Sequence, residues 1–208
     1  MKKISGLYFV TDSTLTRQGV LADVRSALAA GCRLVQYREK MKSTAAMVLE
    51  AREIAKLCRQ KKALFIVDDR ADVALAANAG GVHIGQGDMP LALARKILGK
   101  KRIIGVTVHN AKEALLAQKG GADYVGVSPI FSTGTKSDAG APCGVELIKE
   151  IKKKVRLPIV AIGGINESNL REVLGAGADS VAVVSAVVCA PDPGDAAKRI
   201  ISKIGRLK

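Results

Sequence analysis

The chain has 208 residues, 48% hydrophobic and only 3% aromatic, with a formal charge of +14. That length suits one large core, and no apolar run approaches the roughly 20 residues that cross a bilayer, so membrane-spanning classes are excluded and no membrane partner is expected. The charge invites a nucleic-acid reading, yet the basic residues are scattered, as in Lys100-Lys101-Arg102 and Lys152-Lys153-Lys154, with almost no aromatics for base stacking, and no nucleic-acid partner is expected.

Met1-Lys2-Lys3 opens the chain, but Thr11 and Asp12 arrive too soon for the apolar centre of a secretory signal, so a cytoplasmic address follows. Cys32, Cys58, Cys143 and Cys189 form no Cys-x-x-Cys pair and read as reduced packing residues. Asn166-Glu167-Ser168 matches a glycosylation sequon that has no meaning without secretion.

In chain order, short continuous apolar runs alternate with helical patterns. The runs are Leu7 to Val10, Leu34 to Gln36, Leu64 to Val67, Val82 to Ile84, Ile103 to Val106, Tyr124 to Val127, Ile159 to Ile162 and Ser180 to Val184. Ala30-Gly31, Ala79-Gly80, Gly120-Gly121 and Ala176-Gly177 close helical stretches, where Gly supplies the left-handed stop. Thr44 to Cys58 carries Ala46, Val48, Leu49, Ile54, Ala55 and Cys58 at helical spacing, with Glu50, Arg52, Glu53 and Lys56 on the wet side. Pro90 and Pro191 are expected at helix starts. Continuous apolar strands are buried on both faces, as in parallel sheets. Eight strand-helix units with no linker predict a single α/β domain over residues 1–208, a (β/α)8 TIM barrel.

In such barrels the site lies at the carboxyl ends of the strands. Those ends carry Gln36 to Lys40, Asp68-Asp69-Arg70, Gln86-Gly87-Asp88, Thr107 to His109, Ser132 to Lys136, Gly163-Gly164 and Ser185. Neighbouring strands of one βαβ unit would bring Asp69 and Asp88 together, where two carboxylates repel unless a cation sits between them. Mg²⁺, which prefers oxygen and keeps most of its waters, is the natural candidate; the simpler role for Asp69 is capping the following helix. Arg38, Lys40 and Lys136 would face that ion and a phosphorylated small-molecule substrate. Gly163-Gly164 and Ser185 stand where many barrels hold a phosphate. The long irregular stretch from Ser128 to Gly144 has the length of a functional loop.

The motifs Gln36-Tyr37-Arg38-Glu39-Lys40, Asp68-Asp69-Arg70, Gly81 to Pro90, Thr133-Gly134-Thr135-Lys136 and Ala161 to Ile165 resemble those of the thiamine-phosphate synthase family, in order along nearly the whole chain. The resemblance implies a Mg²⁺-dependent transferase that joins hydroxymethylpyrimidine pyrophosphate to hydroxyethylthiazole phosphate and releases pyrophosphate. It implies that Asp69 and Asp88 hold the metal and that Arg38, Lys40 and Lys136 act in catalysis. By the same resemblance Gln36, Tyr37, Arg38, Glu39, Lys40, Asp68, Thr107 and Lys136 contact the pyrimidine substrate, while Thr133, Gly134, Thr135, Gly164, Val184 and Ser185 receive the thiazole phosphate. Three departures stand out: Asp68 replaces the family's usual Asn, Thr107 its usual Ser, and Gly134 an acidic residue. Rival readings are the related thiazole tautomerase, with His109 as acid-base residue, and an idle barrel binding RNA through its charge. Assembly as a homo-oligomer is compatible with all three.

Overall fold

A computed structural model describes residues 4–135 and 140–207. Its strands are Gly6–Val10 (β1), Leu34–Tyr37 (β2), Leu64–Asp68 (β3), Gly81–Ile84 (β4), Ile103–Val108 (β5), Tyr124–Val127 (β6), Ile159–Ile162 (β7) and Ser180–Val183 (β8). Each pairs in parallel with the next, and β8 pairs with β1, so the sheet closes as the expected barrel. Helices Val20–Ala29 (α1), Thr44–Gln60 (α2), Ala71–Ala76 (α3), Leu91–Leu98 (α4), Ala111–Lys119 (α5), Glu146–Lys154 (α6) and Leu170–Gly175 (α7) make the crossovers; Ser185–Val188 (α8) and Pro193–Leu207 (α9) complete the ring.

The two-residue alternation of strand side chains builds two cores. One set, including Phe9, Val35, Phe65, Val67, Val82, Val125 and Val181, packs under the helices. The other, including Tyr8, Val10, Leu34, Leu64, Ile66, Tyr124, Val160 and Ala182, fills the barrel. Burying an aliphatic side chain in either layer is worth about 1.5–3 kcal/mol, and the eightfold repetition of that burial closes the sheet.

Local signals set the helix positions. The Ser43 side chain accepts from the N–H of Ala46 to start α2, and Asn110 accepts from the N–H of Glu113 to start α5. Two details depart from expectation. The buried face of α2 is Met47, Ala51, Ile54, Ala55 and Cys58, so Leu49 is exposed and Glu50 turns inward to accept from Tyr37 at 2.7 Å. Pro193, not Pro191, begins α9, where its missing N–H is tolerated.

Much of the positive charge also has a structural place. Arg59, Arg95, Lys96, Lys119, Lys152, Lys153, Lys154 and Arg206 lie in the last turns of their helices, where cations complement the helix dipole. Those ends surround the amino-terminal rim of the barrel, away from the polar strand ends. Among the described residues no helix is long and apolar enough to cross a membrane, and the four cysteines form no disulfide.

Gly81 lies so close to β5 that a Cβ there would stand 2.0 Å from the Ile103 carbonyl oxygen. Gly81→Ala is therefore expected to lower stability by about 3 kcal/mol through forced separation of β4 and β5, read as a reduced urea midpoint. A midpoint within error of the parent would contradict this packing.

Candidate active site

The carboxyl-terminal strand ends open into a cleft of about 1020 Å³ including its mouth, lined by Gln36, Arg38, Lys40, Asp68, Asp69, Asp88, Thr107 and His109 on one side. Thr133, Thr135, Gly164, Val184 and Ser185 line the other. Gly164 adopts φ +63° and passes within 2.5 Å of the Ser132 oxygen, measured from where a Cβ would sit, so no side chain fits there and its backbone meets the loop after β6.

Asp69 reaches the cleft through an unusual backbone. Its φ is 57°, a left-handed conformation that Asp tolerates better than most residues, and its N–H donates to the His83 carbonyl at 2.7 Å. It caps nothing: α3 starts after Arg70 with no side-chain cap. The Asp88 carboxyl lies close enough to that of Asp69 for the two to influence each other's protonation, and Asp88 Oδ2 accepts from the N–H of Gly85 at 2.7 Å. Burial, then Asp69, push the Asp88 carboxyl up. Asp68, beside them, is pushed up to about 7 by burial and then by Asp69, against the opposing pull of Lys40 and Arg38.

The cations are held against this cluster. Lys40 Nζ pairs with Asp69 Oδ2; burial lowers its affinity for a proton, but the Asp69 bond and the charges of Asp69 and Asp68 outweigh that and raise it. Arg38 Nη1 donates to Asp12 Oδ2 at 2.6 Å, and its Nε lies 4.0 Å from Asp68 Oδ2. Asp12 is buried and also accepts from the Thr14 N–H and hydroxyl, so it aims Arg38 along the cleft floor. Sequence reasoning passed over Asp12, although an acid ending the first strand is a signal of the same kind as Asp69.

Below the charged layer, polar groups are linked in series. Gln36 Nε2 donates to Tyr8 Oη at 3.2 Å, Tyr8 and Tyr124 join through their hydroxyls at 2.9 Å, and Tyr124 Oη meets His83 Nδ1 at 2.9 Å. His83 Nε2 then meets Thr107 Oγ1 at 2.8 Å. His83 lines the cleft and was read only as a strand residue; a lone polar side chain in the inward register of β4 was the available signal.

Two residues expected at the site do not line the cleft. Tyr37 is fully buried in the layer beneath the helices and donates to Glu50, because strand alternation turns it away from the cleft that Gln36 faces. Glu39 folds back under its own loop, with Oε1 accepting from the N–H groups of Met41 at 2.8 Å and Lys42 at 3.3 Å. Burial pushes its carboxyl up, but those N–H groups, the Ser13 hydroxyl and Lys42 outweigh it and hold it below the usual carboxylate range. Gly134 is exposed and sits between the two threonines without lining the cleft. Lys136 lies outside the described residues. His109 lines the cleft with Nδ1 at 3.1 Å from Glu113.

The donor set fits a hard cation. Among the described residues no three His, Cys, Asp or Glu side chains form a complete metal cage, but two adjoining carboxylates suit Mg²⁺, which completes its shell with water and substrate phosphate.

The geometry is that of a (β/α)8 barrel with a charged cleft at the carboxyl ends of its strands. A family model described as thiamine monophosphate synthase matches residues 7–187, and the chain belongs to that family of transferases. A thiamine-phosphate synthase of Methanosarcina barkeri is 55% identical over 201 residues, 97% of this chain and 91% of that protein. One of Chloroflexus aurantiacus is 52% identical over 195 residues, covering 93% and 90%. The solved thiamine phosphate pyrophosphorylase of Pyrococcus furiosus superposes with a TM-score of 0.90 at 40% identity, covering 97% and 96% of the two chains.

The raised Asp68 carboxyl gives a pH signature. The folded chain retains a proton that the unfolded chain, with the ordinary value of 3.8, releases, so this group's contribution to stability falls as pH rises from about 4 to about 7. In the presence of a chelator, the Tm of Asp68→Asn is expected to rise relative to the parent across that interval. A Tm difference independent of pH would contradict the assignment.

Proposed function

We propose that this protein joins hydroxymethylpyrimidine pyrophosphate to hydroxyethylthiazole phosphate, forming thiamine phosphate and releasing pyrophosphate, with Mg²⁺ held by Asp69 and Asp88. Carrying the reading is the convergence of the Asp69–Asp88 pair with Arg38 and Lys40 on one rim. The family and the relatives' names supply the reaction class.

The chemistry follows from the charges. The bond between the pyrimidine methylene carbon and the pyrophosphate oxygen breaks, and its electron pair leaves with the diphosphate. Arg38 and Lys40, aimed by Asp12 and Asp69, stabilise that developing charge, which is electrostatic preorganisation rather than nucleophilic catalysis. Asp69 and Asp88 would hold Mg²⁺, which would supply further neutralisation of the leaving diphosphate. The thiazole nitrogen contributes the electron pair of the new carbon–nitrogen bond. Gly164, Thr133, Thr135, Val184 and Ser185, across the cleft, receive the thiazole phosphate, and Gln36 and Thr107 orient the pyrimidine. Such substrates, with cysteines that form no disulfide, fit a cytoplasmic setting.

Pyrophosphate release is expected to require the pyrimidine substrate, the thiazole phosphate and Mg²⁺ together. Asp88→Asn is expected to reduce kcat by about a hundredfold or more while leaving the far-ultraviolet spectrum unchanged. An unaltered rate in that variant at saturating Mg²⁺ would rule out the metal assignment.

A further inference from the structure

We propose that Tyr8, Tyr124 and His83 form a proton-ordering chain that locks Gln36 and Thr107 in opposite polarity, Gln36 offering its carbonyl to the cleft and Thr107 its O–H. The inference rests on the proposed reaction only for the identity of the ring bound there.

Each hydroxyl has one proton to give. Gln36 Nε2 donates to Tyr8 Oη, and the chain then runs one way: Tyr8 donates to Tyr124 across 2.9 Å, and Tyr124 donates to His83 Nδ1 across 2.9 Å. A neutral imidazole that accepts at Nδ1 carries its proton on Nε2. That proton is donated to Thr107 Oγ1 across 2.8 Å, and the Thr107 proton is left to point into the cleft, which Thr107 lines. Reversing a single link would leave one hydroxyl proton in the chain without an acceptor, so with every group satisfied the polarity of one end sets that of the other.

The packing holds the rings for this purpose. Tyr8 and Tyr124 are fully buried, set edge to face at 6.2 Å between centroids, and His83 stacks on Tyr124 at 5.4 Å. Both rings occupy space left by inward glycines. A Cβ on Gly105 would stand 2.0 Å from Tyr124 Cζ, and one on Gly126 would stand 2.9 Å from His83 Cε1. An aromatic pair, an imidazole and two glycines in the inward register make a poor apolar filling, but a rigid hydrogen-bonded one.

The consequence is specificity. A ring bearing an exocyclic amino group offers a donor to the Gln36 carbonyl, and its ring nitrogen offers an acceptor to Thr107. The corresponding oxo ring presents the reverse pattern and sets its carbonyl against that of Gln36, with no proton between them. Sites that hydrogen-bond a substrate group discriminate strongly against analogues that cannot return the bond. Tyr8, Tyr124 and His83 are thus positioning residues that act through Gln36 and Thr107.

The chain has two histidines, so nitrogen-15 spectra of the whole protein, with His109→Asn for assignment, report the His83 tautomer directly. The protonated nitrogen is expected to be Nε2; protonation at Nδ1 would overturn the proposal. The ratio of kcat/KM for aminopyrimidine over oxopyrimidine pyrophosphate is then expected to fall about tenfold in Tyr124→Phe and in Tyr8→Phe, each of which removes one oxygen and breaks the chain. A lower kcat with an unchanged ratio in both variants would show a merely structural role and overturn it. Absence of turnover of either substrate by the parent would defeat the proposed reaction, and the tautomer would still decide the chain.

Discussion

Asp68, Asp69 and Asp88 crowd one end of the barrel, and like charges held this close cannot all ionise without something positive among them. Arg38 and Lys40 answer part of that demand, each fixed by a carboxylate of its own, Asp12 and Asp69. Burial first, and then the neighbouring Asp69, still raise the carboxyls of Asp68 and Asp88 against that pull. Under the proposed reaction such a cluster would take up a divalent ion and a diphosphate as a pair, since each supplies the charge the other lacks. The site is therefore best understood as an electrostatic device assembled before its ligands arrive.

The closed sheet makes the device possible. Parallel pairing sets β2, β3, β4 and β5 side by side, so the residues just beyond their ends converge although they span the sequence from Gln36 to Thr107. Inward glycines then decide what the barrel interior can contain. Gly105 and Gly126 yield room to Tyr124 and His83, replacing an aliphatic plug with polar rings that reach up to the cleft. Helix α5 continues the theme: Asn110 and Glu113 exchange capping bonds, and Glu113 also accepts from the His109 N–H at 2.8 Å, which fixes that residue at the rim.

Much of this was legible from sequence because it depends on patterns of one or two residues. The eight apolar runs announced the barrel, and polar residues at their ends announced the rim. Tyr37 and Glu39 turn away from the cleft although the motif groups all five residues, because a strand sends alternate side chains to opposite faces and the loop folds Glu39 back on itself. The same alternation, applied to β4, would have marked His83 as inward and therefore polar without an obvious structural reason. The left-handed turn at Asp69 had no sequence signal beyond the tolerance of Asp for it, and the pairing of Asp12 with Arg38, 26 residues away, had none. Long-range pairs of that kind are set by the closed sheet, not by local composition.

Manganese in place of magnesium tests the central claim most directly, because its anomalous scattering locates it without reference to activity. Crystals grown with manganese and pyrophosphate are expected to show one strong anomalous peak in contact with carboxylate oxygens of both Asp69 and Asp88, with Arg38 and Lys40 on the diphosphate. A peak touching neither aspartate, or none at saturating manganese, would contradict the account.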